Sequence, residues 1–253
     1  MNNPKLGHDN NDIIIDDKPP PILYKYARWD REYHKRLITM PEIYFASARE
    51  FNDPFDCGIY QRYDLVGHPE NMSLQKEILE KRNGIFALSS NKENILMWSH
   101  YSNAHRGFCI GYHSGILKSY LRAALLDKKD LVINLFKILY EKTYPVINPA
   151  PQLSSGTYGR VKQQLSTKYN IWNYEDEWRY VLSSGSLVGP LNERVFRIPI
   201  EAIAEINLGL QMQSSDIAEI IFELKRLKYA GKIYRASKEE FDFRLKFEKE
   251  IIL

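Results

Sequence analysis

Apolar residues alternate with polar residues in several short stretches of the 253-residue chain, and this period of two predicts β-strands. In the first stretch, ILYKYA at residues 22–27, Lys25 and Tyr26 fall on opposite faces. The same reasoning predicts strands at EIYFASA (42–48), IFALSS (85–90), FCIGYH (108–113), WNYEDEWRYVL (172–182), RVFRIPI (194–200), EINLGL (205–210), KIYRA (232–236) and FDFRLKFE (241–248).

Helical spacing of apolar residues, together with capping residues, predicts helices between these strands. The segment ILMWSHYSNAHR (95–106) has Asn94 as its N-terminal cap and Gly107 as the residue that ends it. The other predicted helices are 29–39, 73–82 behind a Ser73 cap, a pair over 114–138 broken near Asp127, 159–168 and 215–230.

The order of these elements predicts the fold class. It lacks the regular βαβα alternation of a doubly wound sheet, and neither GxGxxG nor GxxxxGK[ST] occurs. We therefore expect a single α+β domain over residues 22–253 with a mainly antiparallel or split central sheet. Residues 114–170 are expected to form a mostly helical insertion, and the Asn-, Asp- and Pro-rich residues 1–21 a disordered lead-in.

Composition narrows the functional classes without naming a partner. The formal net charge is +3 with 26% charged residues, which is not the concentrated basic surface of a nucleic-acid-binding protein. The two cysteines have no metal-type spacing, and no signal peptide or bilayer-spanning run is evident. A soluble cytoplasmic protein without a membrane partner is the expectation.

The stretch WNYEDEWRYVL carries the most unusual chemistry. As a strand it would place Glu175, Glu177 and Arg179 on one face and Trp178 and Tyr180 on the other. One interpretation is a solvated face with exposed ion pairs. The other is a partly buried functional site, because large aromatic residues flank the charged row and buried charges require partners.

Two further segments hold candidate ligand-binding residues. In FNDPFD (51–56), Asn52, Asp53 and Asp56 can fix a sharp turn, or they can offer polar groups to a ligand. A metal site is disfavoured, because the five-residue spacing of His100 and His105 does not align two ligands on one helical face.

In the segment 95–106, Trp98, Tyr101 and His105 lie at helical spacing. Such a stripe usually packs in a core. Alternatively, Trp98, His100 and Tyr101 offer a flat surface with polar tips on which a base or sugar could stack.

Four segments together resemble a known family: LYKYAR near the start, FNDPFD, MWSHYSNAHRG and WNYEDEWR. In this order they are similar to the bacterial domain-of-unknown-function family 2971. The resemblance implies that its motif residues meet in one cleft, although Arg28 is offset by one position from the family's arginine. These residues are Lys25, Tyr26, Asn52, Asp53, Pro54, Trp98, His100, Tyr101, His105, Gly107, Glu175, Glu177 and Arg179.

Two functional hypotheses follow. The first is an NAD-using enzyme similar to ADP-ribosyltransferases, acting in a stress or phage response on an unknown macromolecular acceptor. Glu175-x-Glu177 would match the late carboxylate motif, and the segment ending at Ser47 would match the serine motif. Tyr26 would assist catalysis beside the two glutamates.

In the same hypothesis Lys25 or Arg28 would hold the pyrophosphate. The second hypothesis is a non-catalytic sensor module that binds a nucleotide or a protein segment, with the charged row as a structural network. A carboxylate of Glu177 that faces an open pocket would favour the enzyme, and one held by arginine would favour the module.

Overall fold

The structure, a computed structural model, describes residues 18–58, 60–61, 80–128, 130–147, 162–184, 193–248 and 250–252. Its strands are β1 (Ile22–Ala27), β2 (Glu42–Tyr44), β3 (Tyr60–Gln61), β4 (Asn83–Ser89), β5 (Phe108–His113), β6 (Leu131–Lys137), β7 (Leu139–Glu141), β8 (Val146–Ile147), β9 (Thr167–Tyr169), β10 (Glu177–Ser184), β11 (Val195–Arg197), β12 (Ile203–Leu208), β13 (Lys232–Arg235), β14 (Ser237–Lys238) and β15 (Leu245–Lys246).

Helices connect and cover these strands. The α-helices are α1 (Glu32–Thr39), α2 (Ile95–Tyr101), α3 (Ser114–Ala124) and α4 (Ser214–Arg226), and 3₁₀ turns occur at Ala48–Glu50, Asn170–Glu175 and Ile200–Ala202. In the part of the chain that the structure describes, no helix combines the length and apolarity needed to cross a membrane.

Seven strands form the central sheet in the order β13-β12-β5-β1-β4-β10-β6. All neighbours are antiparallel except β12 and β13, which are parallel. The α+β class with a mainly antiparallel sheet is therefore confirmed. The proposed domain boundaries remain predictions, since residues 1–17 and several internal segments lie outside the described ranges.

The sheet is nearly divided between β1 and β4. These two strands are in register at a single pair, Tyr24 opposite Ser89, whereas β4 and β10 pair from Asn83 to Ser89. The Lys25 Nζ reaches across the opening and donates to the Ala87 carbonyl at 3.1 Å. Of the two predicted alternatives, the mainly antiparallel sheet is the one observed, and its shortest strand pairing lies between two strands that carry candidate residues.

The two faces of the sheet differ in chemistry. Along β10, Trp178, Tyr180 and Leu182 point into the large apolar core. The alternate residues Glu177 and Arg179 lie on the opposite face and are also buried. The predicted period of two therefore holds within β10, but the polar face is not solvated as one interpretation required.

The insertion predicted at 114–170 is not mostly helical in its described residues. The first predicted helix is confirmed as α3, but the second is wrong, because residues 131–137 form β6 at the edge of the central sheet beside β10. Strands β7, β8 and β9 follow. A short apolar run such as LVINLF fits a buried helix or strand equally well, and pairing with β10 decides for the strand.

Two element ends also differ from expectation. Helix α2 stops at Tyr101, and Asn103, Ala104 and His105 then adopt positive φ angles of 53°, 51° and 65°. Gly107 is therefore not the residue that ends the helix. A Cβ atom on it would lie 2.1 Å from the Ala27 carbonyl oxygen, so close backbone contact explains the glycine.

The predicted strand at 172–182 begins only at Glu177. Residues Asn170–Glu175 form a 3₁₀ turn, and Asp176 follows in the left-handed region with φ 43°. The predicted strand at 241–248 is likewise reduced to Leu245–Lys246. Most of the predicted helix at 73–82 falls outside the described residues.

Candidate functional site

Five charged side chains from four parts of the chain meet on the polar face of β10. Glu177 and Arg179 come from β10 itself, Glu175 from the preceding 3₁₀ turn, Lys168 from β9 and Asp56 from the FNDPFD turn. Each side chain is no more than 6% exposed. We call these five residues the charge cluster.

Arg179 is the centre of the cluster and is completely buried. Its Nη1 and Nη2 atoms donate to the two carboxylate oxygens of Asp56 at 3.0 and 2.6 Å. Its Nε and Nη2 atoms donate to Glu177 at 2.6 and 3.0 Å. A further bond reaches the Leu165 carbonyl at 3.0 Å, so the guanidinium is fully engaged as a buried charge requires.

Lys168 is the second cation and joins the remaining acids. Its ammonium donates to Glu175 and, at 3.1 Å, to Glu177. It also lies 3.4 Å from Asp56 and 5.2 Å from the centre of the Trp172 ring. Lys168 thus bridges all three carboxylates beneath an aromatic cover.

The two glutamates of the cluster have opposite protonation properties. Burial opposes ionisation of Glu177, but Arg179 and Lys168 outweigh it and lower its pKa to about 2. Burial and the neighbouring Glu177 raise the pKa of Glu175, despite its bond to Lys168. Three carboxylates face two cations in this cluster. Since the pKa of Glu175 is raised and that of Glu177 is lowered, Glu175 takes up a proton more readily than Glu177 does.

Aromatic side chains form a rim where the cluster approaches the surface. Tyr101 donates to the Glu175 Oε1 at 2.6 Å, and the Asn52 amide lies 3.5 Å from the Tyr101 hydroxyl. The ring centres of His100 and Tyr174 are 6.2 Å apart, and His100 is exposed. Asn52, His100, Tyr101 and Tyr174 therefore form a partly exposed surface, which we call the aromatic rim.

Trp98 does not belong to this surface, contrary to the stacking interpretation. It is 0% exposed and packs edge-on against Tyr26 and face-to-face against Phe247 and His105. Its Nε1 donates to the Lys92 carbonyl at 2.7 Å. Core packing is the correct interpretation for Trp98, and no face of its ring is open to a ligand.

His105 and Tyr26 also serve the interior. The His105 Nε2 lies 3.1 Å from the Ser99 hydroxyl, and its buried Nδ1 has no partner in the part of the chain that is described. The Tyr26 hydroxyl donates to the Asn91 carbonyl at 2.7 Å. The rings of both residues pack against Trp98 of α2, and both lie apart from the charge cluster.

Other predicted residues lie elsewhere. Arg28 pairs with Asp30 at 2.7 Å near the surface. Ser47 caps the Ala48–Glu50 turn beside the small β2–β11 sheet, and Asp53 accepts the Phe55 amide at 2.9 Å within its own turn. These contacts explain Ser47 and Asp53 as turn-forming residues.

Two cluster members were not predicted as site residues. Lys168 ends a segment whose pattern predicted a helix, and no local signal marked it. Asp56 was named with Asn52 and Asp53 as a turn former or as a polar group for a ligand, but it was not among the predicted site residues. Ser89 was also missed, and it lies opposite Glu177 in the sheet.

The fold and site together define an α+β protein with a nearly divided antiparallel sheet and a buried charge cluster under an aromatic rim. The family model described as "Protein of unknown function (DUF2971)" matches residues 97–180, which confirms the family resemblance. The match begins at Met97 within α2 and includes Lys168 and the charged residues Glu177 and Arg179 of β10. No curated protein and no solved structure matched the chain. Among the described residues, no group of three His, Cys, Asp or Glu could hold a metal ion.

Proposed function

We propose that the chain is an NAD-using protein of the ADP-ribosyltransferase kind, with its ligand seated between β1, β4 and β10. The observation that carries the proposal is the adjacency of these three strands. Tyr24 of β1 is opposite Ser89 of β4, and Ser89 is opposite Glu177 of β10. A hydroxyl-bearing first strand, a serine strand and a carboxylate strand are therefore side by side.

This arrangement revises two residues of the hypothesis. The hydroxyl of the first strand is that of Tyr24 rather than Tyr26, because Tyr24 is the residue opposite Ser89 and the Tyr26 hydroxyl donates to the Asn91 carbonyl. The serine is Ser89 rather than Ser47, because β4 lies between β1 and β10 while Ser47 lies beside the small β2–β11 sheet. The single pairing between β1 and β4 also supports the proposal, since a ligand can enter a sheet where two strands separate. Lys25 lies in this opening, half-buried beside the Phe86 ring.

The chemistry suits an ionised carboxylate. Cleavage of the nicotinamide bond develops positive charge on the ribose, which a fixed carboxylate stabilises. The low pKa of Glu177 keeps it ionised at neutral pH. The bonds from Arg179 and Lys168 fix its orientation, and the nearby Tyr101 and His100 supply ring faces for the nicotinamide or the base.

A second candidate is a nucleotide-binding module without turnover, and a specific observation favours it. Both oxygens of Glu177 accept bonds from Arg179, one of them also from Lys168, and the residue is only 5% exposed. A carboxylate held in this way serves a structural network. The two candidates share a nucleotide ligand and differ in whether the nicotinamide bond breaks.

One experiment separates them. NAD binding is measured by calorimetry, and nicotinamide release is measured with cell lysate and nucleic acid as sources of acceptors. The variants are Glu177→Gln, Ser89→Ala and, as a control carboxylate on the surface of α4, Glu219→Gln. Release by the wild type and the control, but not by Glu177→Gln, supports the transferase.

Binding without release by the wild type supports the module. A folded wild-type protein that neither binds NAD nor releases nicotinamide contradicts the proposal. Because Glu177 is part of a buried network, each variant is first checked for folding by circular dichroism.

A further inference from the structure

The opening between β1 and β4 is a recess in the middle of the central sheet. At one end of it Tyr24 pairs with Ser89, and at the other end β4 pairs with Ala46 instead, through two backbone hydrogen bonds to Ile85. Between these two points Ala87 is partly exposed, although every other residue of β4 is buried. The sheet is therefore accessible to solvent at Ala87.

The amine of Lys25 lies in this recess. Its Nζ donates to the Ala87 carbonyl at 3.1 Å and is 5.3 Å from the centre of the Phe86 ring, and the residue is half-buried. Within the described residues Lys25 forms no ion pair, whereas Lys168 contacts three carboxylates. Lys25 thus combines partial access to solvent with the lack of a carboxylate at hydrogen-bond distance.

The surroundings favour the neutral form of this amine. Burial lowers the pKa of Lys25, and the more distant Glu177 and Glu175 oppose this change without cancelling it. From α1, His34 supplies no negative charge, since its own pKa is lowered to about 4 by burial and by nearby cations that include Lys25. A neutral amine can donate one N–H to a carbonyl and keep its lone pair for attack on an electrophile.

We propose that Lys25 is a nucleophilic amine that forms an imine with a small aldehyde entering the recess between β1 and β4. The nitrogen attacks the carbonyl carbon, a carbon–nitrogen double bond replaces the carbon–oxygen double bond, and the oxygen leaves as water with the two amine protons. The recess spans only residues 85–89 of β4, so the aldehyde that fits is a small one. The reaction shares this opening with the proposed NAD site but requires no NAD.

Reductive trapping of the full chain tests the proposal. The protein is treated at pH 7 with glycolaldehyde and cyanoborohydride, which reduces an imine to a stable secondary amine. The labelling rate of each lysine is measured by peptide mass spectrometry, with the exposed Lys225 of α4 as the reference. An ordinary lysine is less than about 0.1% neutral at pH 7, so Lys25 should be labelled roughly tenfold faster than Lys225 or more. Unfolding in urea should abolish the difference.

Two variants test whether the recess controls the reaction. Ala87→Leu narrows its mouth and should slow labelling of Lys25 several-fold, whereas Ala218→Leu, at an exposed position of α4, should leave the rate unchanged. Lys25→Arg keeps a donor for the Ala87 carbonyl and should remove the rapidly labelled site while Lys225 reacts as before.

Two results would overturn the proposal. The first is labelling of Lys25 in the folded wild type that is no faster than that of Lys225. The second is an unchanged rate at Lys25 in Ala87→Leu when the melting temperature shows that this variant is folded. The comparison within the wild type holds even if Ala87→Leu does not fold. Because the labelling mixture contains no NAD, its result is distinct from that of the nicotinamide-release experiment.

Discussion

Two carboxylates, Glu177 and Glu205, stand at opposite ends of one row across the central sheet, and the protein neutralises them differently. The row runs from Glu205 through Gly111, Tyr24 and Ser89 to Glu177, each paired with the next. Residues paired in this way share a face of the sheet. The two glutamates therefore face the same layer of the protein.

At the β10 end, charged side chains neutralise the carboxylate. Glu177 is held by Arg179 and Lys168, which also hold Asp56 and Glu175. No member of this cluster is more than 6% exposed at its side chain. Such a network is stable only while every charge has its partner.

At the β12 end, one cation is surrounded by neutral groups. Lys92 lies 2.7 Å from Glu205 and within 6.0 Å of the ring centres of Tyr24, Tyr234 and Phe247. The Asn207 amide donates to Glu205 at 3.0 Å, and Lys92 is 20% exposed. We therefore expect this region to depend less on any single charge, because Lys92 is partly exposed and only one ion pair is present.

Removal of Arg179 should give the largest effect. The variant Arg179→Met fills the volume but leaves Asp56 and Glu177 buried beside only Lys168, so we expect a loss of about 3–5 kcal/mol in the free energy of unfolding. Urea denaturation at pH 7 measures it. The matched control Arg28→Met breaks a pair whose side chains are 34% and 48% exposed, and it should cost no more than about 1 kcal/mol. Equal effects of the two variants would contradict a special role for burial.

The acid dependence of stability should be the next largest effect. The pKa of Glu177 falls from its usual 4.5 to about 2 on folding, so its stabilisation is complete above pH 4.5 and is lost as the pH falls through 2. This shift corresponds to about 3 kcal/mol. Unfolding free energies measured between pH 2 and 7 should therefore fall less steeply for Glu177→Gln than for the wild type.

Glu175 should act with the opposite sign. Its pKa is raised on folding, so its contribution is present below its unfolded pKa and is lost as the pH rises through the folded value. In Glu175→Gln this loss is absent. The free energy of unfolding of the variant should therefore fall less between acidic and neutral pH than that of the wild type. If Glu177→Gln and Glu175→Gln both reduce the loss of unfolding free energy at acidic pH, the assignment of opposite pKa shifts is wrong.

Loss of Lys168 should be milder than loss of Arg179. In Lys168→Met, Glu177 keeps Arg179, while Glu175 keeps its bond to Tyr101 and can take up a proton. We expect a loss of about 2 kcal/mol at pH 7 that becomes smaller at acidic pH, where Glu175 is protonated. The same measurement on Lys35→Met, which breaks a more exposed pair with Glu219, should show little change. A loss that is independent of pH would show that Lys168 acts through packing alone.

The sequence predicted the local features around these regions well. Alternation identified β10 and its two faces, Asn94 was correctly predicted as the helix cap, and the aromatic neighbours of Glu177 indicated burial. Each of these features depends on residues close together in the chain. The charged row and the helical spacing also singled out Glu175 and Tyr101, which meet at the edge of the charge cluster.

The partners within each region could not be predicted in this way. Asp56 and Arg179 are 123 residues apart, and Lys92 and Glu205 are 113 apart. Their contacts follow from strand order, which the periodic pattern does not specify. Lys168 shows a different limit. It is only seven residues from Glu175, but its segment predicted a helix, whereas Thr167–Tyr169 form β9.

The smallest effect should come from Lys92, and it decides whether the comparison between the two ends of the row holds. In Lys92→Met, the side chain keeps its contacts with Tyr24, Tyr234 and Phe247 but loses its charge. Glu205 retains the Asn207 amide and some solvent. We expect a loss of about 1–2 kcal/mol, since a partly exposed pair and its cation–π contacts are each modest. Lys92→Arg preserves a cation and should recover much of the loss in urea denaturation. If Lys92→Met lowers the free energy of unfolding as much as Arg179→Met does, the comparison fails. The aromatic rings and the Asn207 amide would then stabilise Glu205 no better than Lys168 alone stabilises the carboxylates left by Arg179→Met.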